Sequence, residues 1–295
     1  MLSLGLDTSN YTTSLALLDD EQVRQAKRPL PVKAGELGLR QSDALFHHTV
    51  ALPAMLDEFL RGQKVTAVGV SSRPRAVEGS YMPCFLAGVS AAQAIASALG
   101  IPLYMTSHQQ GHLAAALYST GRLDLLDSEF LAWHVSGGTT ELLHVRSGLQ
   151  AICIGGSADL NAGQLVDRVG AQLGFDFPAG PALDQLAMQG EHRRARASVT
   201  GMQCHLSGVE NQCKQSYDTP ENIARFCLTN IAQAMIKITK AAGDLPLICA
   251  GGVCCSEVVR EIFLAAFPHA QFAAPEFSAD NAVGVAILAG EGKIC

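Results

Sequence analysis

Two strand, polar-turn, strand units recur in this chain about 130 residues apart. In the first, Leu2 to Leu6 passes through Asp7-Thr8-Ser9-Asn10-Tyr11-Thr12-Thr13 into Ser14 to Leu18. In the second, Phe130 to Val135 passes through Ser136-Gly137-Gly138-Thr139-Thr140 into Glu141 to Val145. Each unit reads as a β-hairpin with a hydroxyl-rich or glycine-rich tip, and the repetition predicts an internal duplication with one hairpin per domain. Between and after the hairpins, apolar runs alternate with Ala- and Leu-rich segments at helical spacing. They predict a helix from Ser42 to Leu60, a strand from Val65 to Ser71, a helix from Tyr81 to Leu99, and a strand from Leu245 to Ala250 that ends at Gly251-Gly252-Val253. Strands alternating with helices define an α/β protein. Its 295 residues, 48% of them hydrophobic, suit two moderate cores. The expected domains are residues 1–106 and 107–278, with a helix over 279–295 packing back on the first.

Charge and cysteine content narrow the classes of function. A formal charge of −6, with 21 basic residues against 27 acidic ones, excludes an autonomous polyanion binder, so a nucleic-acid substrate requires a local basic patch or a partner. The nine cysteines are odd in number and irregularly spaced, which argues for a reducing compartment rather than a disulfide framework. The amino terminus shows no basic, apolar leader, and no apolar run approaches the roughly 18–20 residues that span a bilayer. A soluble, cytoplasmic protein without a membrane partner is expected.

Glycine and hydroxyl residues directly after a strand let the backbone approach a phosphate and donate N–H groups to it. Asp7-Thr8-Ser9, Ser136-Gly137-Gly138-Thr139 and Ala250-Gly251-Gly252 all fit that role, with an ordinary tight turn as the alternative for each. His108 and His112 stand four residues apart, so on a helix both imidazoles face one way and can chelate one metal; two surface histidines on an Ala-rich helix are the other reading. The His-Glu-x-x-His peptidase pattern fails, because Gln109 stands where its general-base glutamate belongs. Asp280, after the run Gln271 to Ala274, is a carboxylate at a strand end that suits a third ligand. Asp167 and Asp184 flank the loop Gly174 to Pro181 and suit either sugar hydroxyls or helix caps. His47 and His48, and the vicinal Cys254 and Cys255, read as structural. No residue is singled out as a catalytic acid or base.

Taken in order, Gly5-Leu6-Asp7-Thr8-Ser9, Ser107-His108-Gln109-Gln110-Gly111-His112-Leu113, Val135-Ser136-Gly137-Gly138-Thr139-Thr140, Asp167 with Pro178-Ala179-Gly180-Pro181, Ala250-Gly251-Gly252-Val253 and Ala279-Asp280-Asn281 resemble the TsaD family of tRNA N6-adenosine threonylcarbamoyltransferases. The resemblance covers nearly the whole chain. It implies two actin-like domains of the sugar-kinase and heat-shock type, with a nucleotide and metal cleft between them. It implies a divalent ion (zinc, iron or manganese) on His108, His112 and Asp280, and an adenine nucleotide (ATP, AMP or an acyl adenylate) on His134, Val135, Ser136, Gly137, Gly138, Asp167, Gly180 and Asp184. Gly251 and Gly252 join that set through their turn, and Ser256 stands where the family places a nucleotide-contacting asparagine. The implied reaction moves a threonylcarbamoyl group from an acyl adenylate to N6 of adenine in tRNA, with partner proteins of the same pathway and a homo- or heterodimer as the assembly.

Departures from the family pattern cluster at the reaction centre, as in a divergent paralogue. Tyr11 and Thr12 replace an acidic pair, Thr139 replaces a histidine, and Ser72-Arg73-Pro74-Arg75 replaces a Gly-Pro-Gly loop. Arg73 and Arg75, with Thr8 and Ser9, are anion or phosphate contacts on one reading, and Arg73 and Arg75 a solvated basic loop on the other. Three functions stay open: the transferase, a nucleotide-binding regulatory paralogue without catalysis, and a small-molecule kinase or carbamoyltransferase on the same fold.

Overall fold

The first hairpin forms as β1 (Leu2–Asp7) paired antiparallel with β2 (Thr12–Asp19). The computed structural model describes residues 1–9, 11–20, 22–31, 39–191, 195–216 and 218–292. The chain divides into two units, one of residues 1–128, 146–151 and the segment from Asp280 onward, the other of residues 129–145 and 152–279. In the first unit β2 continues into β3 (Gln22–Pro29), a strand that the search for apolar runs does not find. Its Arg24, Lys27 and Arg28 sit on the sheet's edge, where charge discourages pairing with another chain. Then follow α1 (Gln41–Leu60), β4 (Ala67–Arg73), α2 (Phe85–Leu99), β5 (Leu103–Ser107) and α3 (His108–Ser119). The sheet order is β3-β2-β1-β4-β5, with β4 parallel to both β1 and β5. Leu4, Leu6, Leu15, Leu17, Val68 and Val70 pack against Leu52 and Met55 of α1 and Ala92 and Ala96 of α2. Helix α2 starts at Phe85 rather than Tyr81, because Pro83 biases the residue before it away from helical backbone.

The second unit is built on the second hairpin, β6 (Phe130–Val135) and β7 (Thr140–Arg146). It continues through β8 (Gln150–Ser157), α4 (Ala162–Gln172), α5 (Gly180–Ala187), β9 (Ser198–Thr200), β10 (Gln203–His205), α6 (Ser207–Gln215) and α7 (Pro220–Ala242). It ends with β11 (Leu247–Ala250), α8 (Glu257–Ala266), β12 (Gln271–Phe272) and α9 (Pro275–Ser278). The sheet order is β12-β11-β6-β7-β8-β10-β9. Helix α7 is buried along most of its length, and its Thr239 Oγ1 accepts a 2.9 Å hydrogen bond from Nε1 of the buried Trp133. Among the described residues no helix is long and apolar enough to cross a membrane.

The last helix, α10 (Val283–Gly290), returns to the first unit and is buried from Val283 to Ala289. It begins at 283 rather than 279, with Ala282 at its cap position and Asn281 Oδ1 accepting from Val283 N at 3.0 Å in the turn that precedes it. Helix α10 packs against α3, so residues 107–128 belong with the first unit, and the boundary expected before Ser107 lies after Ser128 instead. Residues 293–295 of the expected carboxy-terminal helix lie outside the described residues.

Helices α3 and α10 touch backbone to backbone. A Cβ on Gly284 would lie 1.8 Å from Gly111 O and 2.7 Å from Ala115 N, and one on Gly111 would lie 3.0 Å from Val285 Cγ2. Alanine in place of a helix-interior glycine ordinarily stabilises by about 0.5–1 kcal/mol. Here the overlap reverses the sign. Gly284→Ala is expected to destabilise the protein by at least about 1–3 kcal/mol, read as a lower urea midpoint at unchanged slope.

Candidate functional site

β5 ends at Ser107, which caps α3. Ser107 Oγ accepts from Gln110 N at 3.2 Å while Ser107 N donates to Gln110 Oε1 at 2.9 Å, so both side chains of the capping box are engaged. This fixes the first turn of α3 and places His108 and His112 on one face, ring centroids 4.3 Å apart and Nε2 atoms 2.9 Å apart. Asp280 Oδ1 lies 3.6 Å from His108 Nε2 and 3.5 Å from His112 Nε2. All three ligand atoms fall within 4.8 Å of one another, the only such group of three or more among the described residues. Bonds of roughly 2.0–2.2 Å from these donors to one ion bring their ligand atoms to about this separation, and two imidazoles with a carboxylate suit zinc, iron or manganese. The residues therefore fit the ion that the sequence implies. The positive end of the α3 dipole repels a cation, and two carboxylates offset it.

The second carboxylate is Asp7, fully buried at the end of β1. Its Oδ2 accepts from His108 Nδ1 at 2.8 Å and from Ser71 Oγ, and its Oδ1 accepts from Ser9 N at 2.9 Å. Burial alone would raise the Asp7 carboxyl, but the charge of His108 and the hydrogen bonds from His108, Ser71 and Ser9 hold it below its usual value. Burial likewise opposes the charge on His108, yet Asp7 and Asp280 together push it up from 6.5 to about 10. The hydrogen bonds from His108 and His112 overcome the burial of Asp280 and hold its carboxyl well below the usual carboxylate range. Sequence reading placed Asp7 in a turn and overlooked Ser71; an aspartate closing the first apolar strand was the available signal.

In the second unit, the Ser136-Gly137-Gly138 turn lies against the start of α4. Gly163 N donates to Ser136 O at 3.1 Å, Ala162 N to Thr140 Oγ1 at 2.8 Å, and Asn161 Nδ2 to Gly138 O at 2.9 Å. A Cβ on Gly163 would meet Gly137 N at 2.5 Å, whereas one on Gly137 or Gly138 would meet nothing within 4 Å, so the far side of the turn is open. β11 runs parallel to β6, pairing Ala250 with His134, and Gly251 abuts the Val135 backbone. Two of the glycine turns are thus neighbours, with Gly252 on the second. Asp167 Oδ1 accepts from Ala179 N at 3.0 Å, which ties it to the start of α5 at Gly180.

Other expected contacts are committed within the fold. Asp184 accepts from Ser256 Oγ, from Glu257 N at 2.8 Å and from Val258 N at 3.3 Å, and Ser256 Oγ accepts from Val259 N at 3.1 Å. Together they cap α8, the alternative that sequence left open for Asp184. Thr8, expected at a phosphate, is buried; its hydroxyl donates to Cys84 O at 3.0 Å and accepts from Gly88 N at 3.2 Å. Ser9 is also buried. Arg73 pairs with Ser107 across β4 and β5 and is half-buried, while Arg75 is exposed in the loop that follows. His48 is buried with Nδ1 2.8 Å from Thr13 Oγ1, and burial pushes it down to about 4, a neutral core side chain. Cys254 and Cys255 are free thiols, the first of them buried.

The cluster sets a pH signature for the metal-free protein. His108 contributes stability that is complete below its unfolded value of 6.5 and is lost as pH rises toward about 10. Asp280 contributes stability that is complete above 3.8 and is lost as pH falls. In chelator, the melting temperature is expected to fall between about pH 6.5 and 10 in the wild type, and to fall less in His108→Ala.

Residues 38–287 match the family TsaD, tRNA N6-adenosine threonylcarbamoyltransferase. A tRNA N6-adenosine threonylcarbamoyltransferase of Streptococcus suis is 29% identical over 98% of this chain and 91% of its own length. One from Streptococcus pneumoniae is 32% identical over 88% of this chain and 82% of its own. Among solved structures, (R)-2-hydroxyglutaryl-CoA dehydratase component A of Acidaminococcus fermentans superimposes with a TM-score of 0.59 at 14% identity, covering 99% of this chain and 98% of that one. A ROK family glucokinase from Streptomyces griseus, solved with glucose and AMPPNP, gives 0.54 at 14% identity over 99% and 100%. These likenesses show the actin-like, sugar-kinase fold, and the match over most of the sequence settles the relationship: the chain belongs to the TsaD family of tRNA N6-adenosine threonylcarbamoyltransferases.

Proposed function

We propose that the protein is a metal-dependent transferase that moves a threonylcarbamoyl, or related carbamoyl, group from an acyl adenylate to N6 of adenine in tRNA. The observation that carries this reading is the convergence of His108, His112 and Asp280 in a chain of this family. Those residues would hold one divalent ion, which supplies Lewis-acid stabilisation of charge on phosphate or carbonyl oxygens. The open faces of the Ser136-Gly137-Gly138 and Gly251-Gly252 turns would present backbone N–H groups to the nucleotide, with His134, Val135, Asp167 and Gly180 beside them. Transfer forms a bond from N6 to the carbamoyl carbon, breaks the bond from that carbon to the AMP oxygen, and releases the amine proton. With a net charge of −6 the chain would engage tRNA through partner proteins of the pathway, in the cytoplasm.

A second reading, a nucleotide-binding regulatory paralogue, is favoured by Tyr11 and Thr12. They stand where the resemblance places an acidic pair, Tyr11 exposed and Thr12 at the start of β2. Nucleoside analysis of unmodified tRNA incubated with the protein, metal and threonylcarbamoyl adenylate separates the two. The transferase yields threonylcarbamoyladenosine and loses it, with its bound metal, in a His108→Ala, His112→Ala double variant. The isolated chain is expected to be slow, and complete absence of product with pathway partners added favours the regulatory reading. Adenine nucleotide is expected to raise the melting temperature of the wild type and not of Gly163→Val, whose side chain displaces the turn.

A further inference from the structure

Three adjacent strand ends of the first unit deliver their side chains to one point. Asp7 closes β1, Ser71 lies near the end of β4, and His108 follows β5. The Asp7 carboxylate is fully buried, and each oxygen has a defined donor: Ser9 N on Oδ1 at 2.9 Å, and Ser71 Oγ with His108 Nδ1 on Oδ2, the latter at 2.8 Å. An ionised carboxylate has no hydrogen to give, so in this contact Nδ1 carries the proton. When the ring is neutral, the lone pair is then on Nε2, the atom that faces His112 and Asp280. Ser71 is fully buried and donates to the same oxygen, which restrains the carboxylate and through it the rotation of the ring.

We propose that Asp7, braced by Ser71, is a positioning residue that selects the tautomer and ring rotation of His108 so that Nε2 is offered to a divalent metal ion. The inference rests on the reading of His108, His112 and Asp280 as metal ligands. A hydrogen-bonded partner on the far nitrogen of a ligating histidine typically sets metal affinity by 10–100-fold. Asp7 is not a fourth member of that group, and Ser71 Oγ is engaged by Asp7 Oδ2, so their effect runs through the ring.

Asp7→Asn separates this role from simple packing. The amide is isosteric, and Ser9 N still requires an acceptor, which keeps Oδ1 where it is and puts Nδ2 in the place of Oδ2. Nδ2 then donates to His108 Nδ1, the proton moves to Nε2, and the ligand lone pair is lost without a cavity. Ser71→Ala leaves the carboxylate in place and removes only its brace.

The experiment measures Zn2+ affinity of the full chain by competition with a chromophoric chelator, and reads the histidine tautomers from long-range 1H–15N spectra of the zinc-bound protein. Asp7→Asn is expected to bind Zn2+ about 10–100-fold more weakly, with the His108 signal changed from Nδ1–H to Nε2–H. Ser71→Ala is expected to bind more weakly than wild type but more tightly than Asp7→Asn, and it keeps the test available if Asp7→Asn does not fold. His108→Ala is the reference for loss of a ligand. Wild-type affinity in Asp7→Asn with loss in His108→Ala overturns the positioning role and leaves the metal reading intact. Wild-type affinity in both overturns the metal reading and the inference with it.

Discussion

The cluster of His108, His112 and Asp280 depends on two helices meeting without side chains between them. Gly284 of α10 sits on the Gly111 carbonyl of α3, closer than any Cβ allows. Gly111 lies between His108 and His112 in sequence, and Gly284 follows Asp280 by four residues, so a contact between glycines sets the distance from the Asp280 carboxylate to the two imidazoles. Interiors are packed too densely for such a contact to loosen gradually. A side chain at Gly284 would meet the α3 backbone and push the helices apart, drawing the Asp280 carboxylate from the imidazoles. The all-apolar α10 also fills the core beneath β1 and β4, so the helix that follows Asp280 stabilises the sheet that carries Asp7.

A second layer of organisation comes from electrostatics. Placing positive charge at a helix start is unfavourable, and burying a lone carboxylate is unfavourable, but Asp7, His108 and Asp280 satisfy one another. Asp7 and Asp280 push the buried His108 imidazole up to about 10, so the cluster is an anion pair matched to a cation of its own, and a metal ion held there would displace a proton.

Much of this was legible in sequence, for identifiable reasons. The paired hairpins announced themselves because both strands of each are apolar and the turns are rich in glycine and hydroxyls. His108 and His112 were legible because four-residue spacing defines a helix face, and Asp280 because it is a carboxylate beyond the apolar run Gln271 to Ala274 in a segment, Ala279-Asp280-Asn281, that resembles the family. β3 was missed because an edge strand can be polar on its exposed positions, and β9 and β10 because strands of three residues have no periodicity to detect. The boundary was misplaced because Gly111 and Gly284, the residues that attach α3 to the first unit, show their complementarity only in three dimensions. Asp184 read equally well as a ligand contact or a cap, since a carboxylate near a helix start suits both, and Ser256 was placed by the resemblance alone. The Asp7 partnership joins residues far apart in the chain, and spacing alone does not reveal such a pair.

The order of His108, His112 and Asp280 along the chain gives their cluster a place in time. His108 and His112 are synthesised while more than half of the protein is still to come, and Asp280 arrives near the end. The first sheet can pair its strands early, but it lacks the helix that fills its face until α10 emerges. Contacts between such distant segments form late, because closing a long loop precedes any gain from the contact. Until then His108 and His112 stand without Asp280, beside a sheet whose core is incomplete. The three-residue cluster is therefore complete only when the first unit's core is, and a chain stalled before Asp280 is left without either.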